Sequence, residues 1–218
     1  MVDATLVTDF VLGNNLPNFY IENADVSPDD VITISDVTAI VNILLHKDAS
    51  HAPATAREAT MDRLWLTANG GHCLLHLDTP ERYTAMHITL RLPQGGAMGN
   101  VRLSSTRSAG HQVETRALAD GLYNVVLYAN NNSELRSDDT ALLHFDIAGC
   151  QPRDVEVVAI QSTNRLYETI MSSGTTTGID IVETDDATDG DSYNTVGVRV
   201  GKNARGVVIK DGRKKIEN

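Results

Sequence analysis

Tyr83-Thr-Ala-Met-His-Ile-Thr-Leu-Arg-Leu-Pro93 is the stretch from which the fold can be read. Met86, Ile88, Leu90 and Leu92 fall on one side of an extended chain, and His87, Thr89 and Arg91 on the other, before Pro93 stops the run. A period of two is that of a strand with one buried face. The same period returns on both sides of it. Cys73, Leu75 and Leu77 alternate with Leu74 and His76, and Tyr123, Val125, Leu127 and Ala129 alternate with Asn124, Val126 and Tyr128. Leu143, Phe145 and Ile147 alternate with His144 and Asp146, and Val155 and Val157 flank Glu156. Gly-Gly, Ala-Asp-Gly and Asn-Asn-Asn turns separate these runs, with no helix-period segment between them. That pattern predicts an antiparallel β-sandwich over residues 59–172, with Met86, Ile88, Leu90, Leu127, Phe145 and Ile147 in one core. His87 and His144 are expected to face outward.

The N-terminal texture is different. In Asp25-Val-Ser-Pro-Asp-Asp-Val-Ile-Thr-Ile-Ser-Asp36, oxygen-bearing side chains stand at loop positions 1, 3, 5, 9 and 12: Asp25, Ser27, Asp29, Thr33 and Asp36. Val31 at position 7 offers its backbone carbonyl. This is the ligand order of a twelve-residue EF-hand calcium loop, because a hard cation takes six or more oxygens. Asp30 replaces the usual Gly at position 6, and Asp36 is shorter than the usual Glu. An acidic turn that caps the following helix through Asp36 or Ser35 would read the same way. That helix has Val37, Ile40, Val41, Leu44 and Leu45 on one face. It also has a partner upstream. Asp3, Thr5, Val7, Asp9, Val11 and Leu12 align without a gap on Asp36, Thr38, Ile40, Asn42, Leu44 and Leu45, at an offset of 33 residues. A short internal repeat of this kind predicts two copies of one unit packed together, here with Val7, Val11 and Leu12 against Ile40, Leu44 and Leu45.

The duplicated loop–helix, with Asp at position 12 and Thr two residues later, resembles the dockerin module, a calcium-dependent unit that binds cohesin domains in extracellular polysaccharide-degrading assemblies. The resemblance covers about the first fifth of the chain. It implies one weak Ca²⁺ site at Asp25, Ser27, Asp29, Val31, Thr33 and Asp36, since the first loop is absent before Val2. It also implies a protein-contact strip of Ser35, Thr38 and Asn42 on the helix. Tyr83 to Pro93, with Leu77-Asp-Thr before it and Gly121 to Ala129 and Ala141 to Ile147 after it, resembles the strands of cohesin-like sandwiches, ahead of carbohydrate-binding or immunoglobulin-like ones. The end of the chain, Tyr193-Asn-Thr-Val-Gly-Val-Arg-Val through Lys215-Ile216, resembles C-terminal sorting domains of proteins exported by the type IX secretion pathway. It is expected to form a short β-hairpin unit, with Asp211-Gly212 as its turn.

The expected organisation is therefore mainly β with a small α module. A dockerin-like helix pair with one degenerate loop spans 1–47, a linker 48–58, the sandwich 59–172, an acidic linker 173–192 and the sorting-like hairpin 193–218. The 218 residues carry a formal charge of −11, which argues against nucleic acid as a partner, since that would reward clustered Lys and Arg. No apolar run reaches the ~20 residues of a membrane span. No signal peptide opens the chain, so an export signal is expected upstream of Met1. Cys73 and Cys150 either pair in an oxidising compartment or stand as two buried thiols.

No Gly-x-Ser-x-Gly elbow, Gly-rich phosphate loop or His-Glu-x-x-His is present, and His72 and His76 lack a third zinc ligand. The resulting expectation is a non-catalytic, extracellular or cell-surface interaction and scaffolding region from a polysaccharide-utilising system. Its partner would be a cohesin-type domain or another extracellular protein. The alternatives are a carbohydrate-binding adhesin, with a polysaccharide as ligand, or an accessory region of a glycoside hydrolase whose catalytic domain lies upstream.

Overall fold

In the computed structural model the described residues are 2–27, 29–45, 57–58, 62–104, 110–135, 141–166, 168–172, 192–194, 199–200, 206–210 and 213–217. The alternating runs become strands that stack as two sheets. One sheet contains β1 (Arg57–Glu58), β4 (Tyr83–Arg91), β6 (His111–Ala117), β7 (Leu122–Ala129), β9 (Glu156–Asn164) and β10 (Thr169–Ser172), in the order β1-β10-β9-β4-β7-β6. The other contains β2 (Arg63–Asn69), β3 (His72–Asp78), β5 (Ala97–Leu103) and β8 (Leu143–Ala148), in the order β2-β3-β8-β5. Every pairing in both sheets is antiparallel except the short β1–β10 contact.

The register explains the core. Met86 lies opposite Leu127 and Ser162, and Ile88 lies opposite Val125 and Ile160, so three strands send apolar side chains the same way. Met86, Ile88, Leu90, Leu127, Phe145 and Ile147 share one buried cluster, as the alternation predicts. Between β6 and β7 the chain turns at Asp120 and Gly121, both at positive φ. A Cβ on Gly121 would lie 2.2 Å from the Leu92 carbonyl oxygen, so only glycine lets the turn close on β4. Cys73 is buried and Cys150 half-buried against the same core, and both are free thiols. Burial, with smaller contributions from Cys150 and Asp146, pushes the Cys73 thiol up to about 11.

The helices are α1 (Val2–Val11), α2 (Ile21–Ala24) and α3 (Ile34–Leu44). They lie within the same compact unit as the sandwich, Met1–Val182. A second buried cluster joins Val7 and Leu12 of the α1 segment to Ile34, Val37, Ile40 and Val41 of α3, and takes in Ala85, Val126 and Tyr128 from the sheet. The repeat therefore packs helix on helix, with one departure from expectation. Leu44 and Leu45 stay exposed, because α3 turns the face carrying Ser35, Thr38 and Asn42 toward the sheet instead. His87, expected outside, is held on the covered part of the outer sheet face with its Nε2 buried.

The linker boundaries shift as well. Residues 57–58 form β1 rather than linker, and Ser192 begins the first strand of the tail. The C-terminal unit, Glu183–Asn218, is a separate antiparallel sheet of β11 (Ser192–Asn194), β12 (Arg199–Val200), β13 (Gly206–Lys210) and β14 (Arg213–Glu217). Its strand order is β12-β11-β13-β14. Lys210 pairs with Arg213, which agrees with a hairpin there. The Asp211-Gly212 turn and residues 46–56 and 173–191 lie outside the described residues.

Candidate functional site

The loop before α3 is ordered by its own carboxylates. Asp25 Oδ2 accepts a hydrogen bond from the Asp30 backbone N–H at 3.1 Å, and Asp29 Oδ1 accepts one from Val31 N–H at 3.0 Å. Asp30 adopts φ 63°, the left-handed turn that Gly usually supplies at this position, so the Asp does not prevent the bend. The other oxygen of Asp25, Oδ1, is buried and has no hydrogen-bond partner. A buried carboxylate oxygen without a donor is costly, and a cation would satisfy it.

Asp36 behaves differently. Its Oδ1 accepts from Val26 N–H, Ser27 N–H and the Ser27 hydroxyl, and its Oδ2 accepts from Thr33 N–H at 2.8 Å. Thr33 is the N-cap of α3, and its Oγ1 accepts from Ser35 N–H. The capping interpretation of Asp36 thus holds in this structure. Burial nevertheless pushes its carboxyl above the usual range, against the lowering effect of those hydrogen bonds. At the front of the loop, Asp25 and Asp29 each accept a loop backbone N–H. Ser27, Thr33 and Asp36 are tied to one another. Among the described residues, no three His, Cys, Asp or Glu side chains converge as a metal cluster.

Ser35, Thr38 and Asn42, expected as an exposed contact strip, are buried. Two of them meet the sandwich directly. Ser35 Oγ and Thr169 Oγ1 are 2.6 Å apart, and Thr38 Oγ1 lies 3.4 Å from Thr84 Oγ1. From the sheet side, Asn132 Nδ2 donates to the Thr38 carbonyl at 2.8 Å and Asn124 Nδ2 to the Leu12 carbonyl at 3.2 Å. Arg116 also donates to Asn14. Small residues on both surfaces, Ser35 and Thr38 against Thr84 and Ala85, let helix and sheet approach closely. The surface facing away from this contact carries an apolar groove of about 450 Å³ lined by residues that include Leu6, Phe19, Tyr20, Ile43 and Leu44.

The opposite sheet exposes a different face. Trp65 stacks on His76 with ring centroids 4.9 Å apart, and the Arg63 guanidinium lies over the indole. His72 Nδ1 lies 2.7 Å from Asp146 Oδ1, and Asn100 donates to the other oxygen of Asp146. Those two contacts hold the Asp146 carboxyl below the usual range. His72 and His76 are thus engaged with separate partners, and no shared ligand position forms between them.

No family profile and no curated protein matches the chain. Among the solved structures that resemble it are three cohesins. A non-cellulosomal cohesin from the archaeon Archaeoglobus fulgidus has a TM-score of 0.39 and 10% identity, over 52% of this chain and 86% of that one. A cohesin module from a Clostridium perfringens family 33 glycoside hydrolase has 0.41 and 6%, over 51% and 88%. The sixth cohesin of Acetivibrio cellulolyticus scaffoldin B, solved in complex with a dockerin, has 0.40 and 13%, over 52% and 94%. At such identities and scores the likeness bears on neither ligand nor partner.

Proposed function

We propose that this chain is a non-catalytic interaction and scaffolding region that works outside the cell, in which residues 2–45 are a protein-docking unit and the sandwich is an assembly domain. The observation that supports this most directly is the strip of Ser35 and Thr38. A docking helix of the kind its sequence resembles would meet a sandwich through these residues, and here they do meet one, that of their own chain. The contact is made by side-chain hydroxyls and amides, as in interfaces between modules.

Calcium fits the same reading. Asp25 and Asp29, with the Val31 carbonyl, would hold the ion at the front of the loop, and Ser27, Thr33 and Asp36 would complete the shell. Bound, Ca²⁺ supplies a hard cross-link between the loop and the start of α3. Because Asp36 already has four donors, the site is expected to be weak. In this reading the C-terminal unit directs export or surface attachment, as its likeness to sorting domains suggests.

Calorimetric titration of the full chain with Ca²⁺ tests the proposal. One weak site, abolished by Asp25→Ala, is the expected outcome. No heat and no calcium-dependent rise in melting temperature would remove calcium from the function. Two tight sites would contradict the single-loop reading.

A further inference from the structure

We propose that the groove between α1 and α3, on the surface turned away from the sandwich, is a docking site for an amphipathic α-helix of another protein, one whose apolar stripe is flanked by Lys and Arg. This rests on the reading of residues 2–45 as a docking unit and names the face that docks. It requires no movement of the helices and no calcium.

Of the ten large apolar side chains that stand exposed among the described residues, seven lie in residues 2–45 and three in all the rest. Four of the seven, Leu6, Tyr20, Ile43 and Leu44, line the groove together with Phe19 and Ile40. Apolar surface concentrated in this way marks an interaction site. The walls are fixed from behind. Ser35 and Thr38 bind α3 to the sheet, and Val7 and Ile40 belong to the buried cluster that α1, α3 and the sheet share. Phe10 stacks on Phe19 with ring centroids 4.7 Å apart, which holds the segment after α1 against that helix. A groove built like this stands open before any partner arrives, so little ordering cost falls on binding. Its volume of about 450 Å³ admits anchoring side chains but not a whole helix, which would lie across it.

Two observations select the occupant. The first is charge. Residues 2–45 carry seven Asp and Glu and no Lys, Arg or His. Glu22 stands exposed beside the lining Asn23, and Asp30 stands exposed on the loop beyond α2. An apolar groove in a uniformly negative unit attracts a partner with basic flanks. It repels the anionic surface of a membrane and a second copy of the same unit. A bound Ca²⁺ would offset part of this charge and leave its sign unchanged. The second is the backbone. The long walls are helices, whose N–H and C=O groups are paired within each helix, so they offer no ladder to an extended strand. A partner helix satisfies its own backbone and brings only side chains. Apolar residues at i, i+3, i+4 and i+7 on it would face Ile40, Ile43 and Leu44, which repeat at the same spacing on α3.

The test is calorimetric titration of the full chain with three synthetic peptides: a Leu–Lys helix with Leu at i, i+3, i+4 and i+7, a Leu–Glu helix of the same apolar pattern, and a scrambled Leu–Lys sequence. The Leu–Lys helix is expected to bind one to one, about tenfold or more tighter than either of the others. Ile43→Glu, at a residue 45% exposed, should keep the helical circular dichroism and weaken that binding by about tenfold or more. The variant adds negative charge, so attraction by charge alone would grow stronger instead, and that result would overturn the proposal. Leu6→Glu on the opposite wall, 40% exposed, makes the same comparison if Ile43→Glu loses its helical signal. Binding that neither variant changes would put docking elsewhere on the chain, which removes the groove and spares the docking reading. Three peptides that all fail to bind, or a Leu–Glu helix that binds equally well, would also overturn the proposal. So would self-association of the chain, or binding to phosphatidylcholine vesicles, that Ile43→Glu abolishes. A chain that binds the Leu–Lys helix and takes up no Ca²⁺ supports the proposal and counts against the metal alone.

Discussion

Leu90→Ala tests the register on which the sandwich rests. Leu90 is fully buried, opposite Tyr123 on β7 and Val157 on β9, at the centre of the larger sheet. The substitution removes three carbons from a site with no access to water. At ~0.8 kcal/mol for each buried carbon, the lost transfer energy is about 2.4 kcal/mol. Strands on both sides hold the surrounding backbone in place, so the space can collapse only in part, and a cavity contribution brings the total to roughly 3–5 kcal/mol. Leu44→Ala is the control. Leu44 is equally large and apolar but 40% exposed on the far side of α3, and its truncation should cost under ~1 kcal/mol. Urea unfolding reads both. Trp65, the chain's single tryptophan, lies on β2 and reports the sandwich by fluorescence. The midpoint should fall sharply for Leu90→Ala at an unchanged slope. A loss below ~1 kcal/mol, or equal losses for the two variants, would mean that Leu90 does not face the core and that the register is wrong.

Gly121→Ala should be more damaging than its size suggests, by about 2 kcal/mol or more, because it sits at φ 72° with a Cβ 2.2 Å from the Leu92 carbonyl oxygen. A melting temperature within a degree or so of wild type would refute that close approach. Burial holds the His87 imidazole below its ordinary 6.5, against a smaller raising effect from Asn124, and His144 is lowered as well, chiefly by burial. The unfolded chain then takes up protons that the folded chain resists, so this stability is complete above pH 6.5 and is lost as pH falls below it. His87→Gln should flatten the decline in melting temperature as pH falls below 6.5 without abolishing it, since His144 remains. A profile parallel to wild type would refute the role of His87. With the calcium titration of Asp25→Ala, these measurements test loop and core separately.

The period-two pattern from Tyr83 to Leu92 determined the larger sheet's core face, and the run from Val37 to Val41 determined a helix with a buried face, because both signals are local and repeat every two or 3.6 residues. The duplicated helix was likewise visible as spacing. The strands Ala97–Leu103 and His111–Ala117 went unread, since their burial patterns are mostly exposed or intermediate and carry no apolar alternation. The covering of the outer sheet face was missed for a different reason. Val125-Val126-Leu127-Tyr128-Ala129 is apolar on both faces, which marks a strand covered on both sides. Read as alternation alone, it left Val126 and Tyr128 facing water. A strand's sequence states which residues share a face. It does not state what lies against that face, because the cover comes from residues more than forty positions away, as Thr38 does for Thr84. Only the tertiary structure could decide that Ser35 and Thr38 are spent on the chain's own sandwich. Helical spacing makes a face, and the choice between solvent, a partner and another part of the same chain is made by long-range packing.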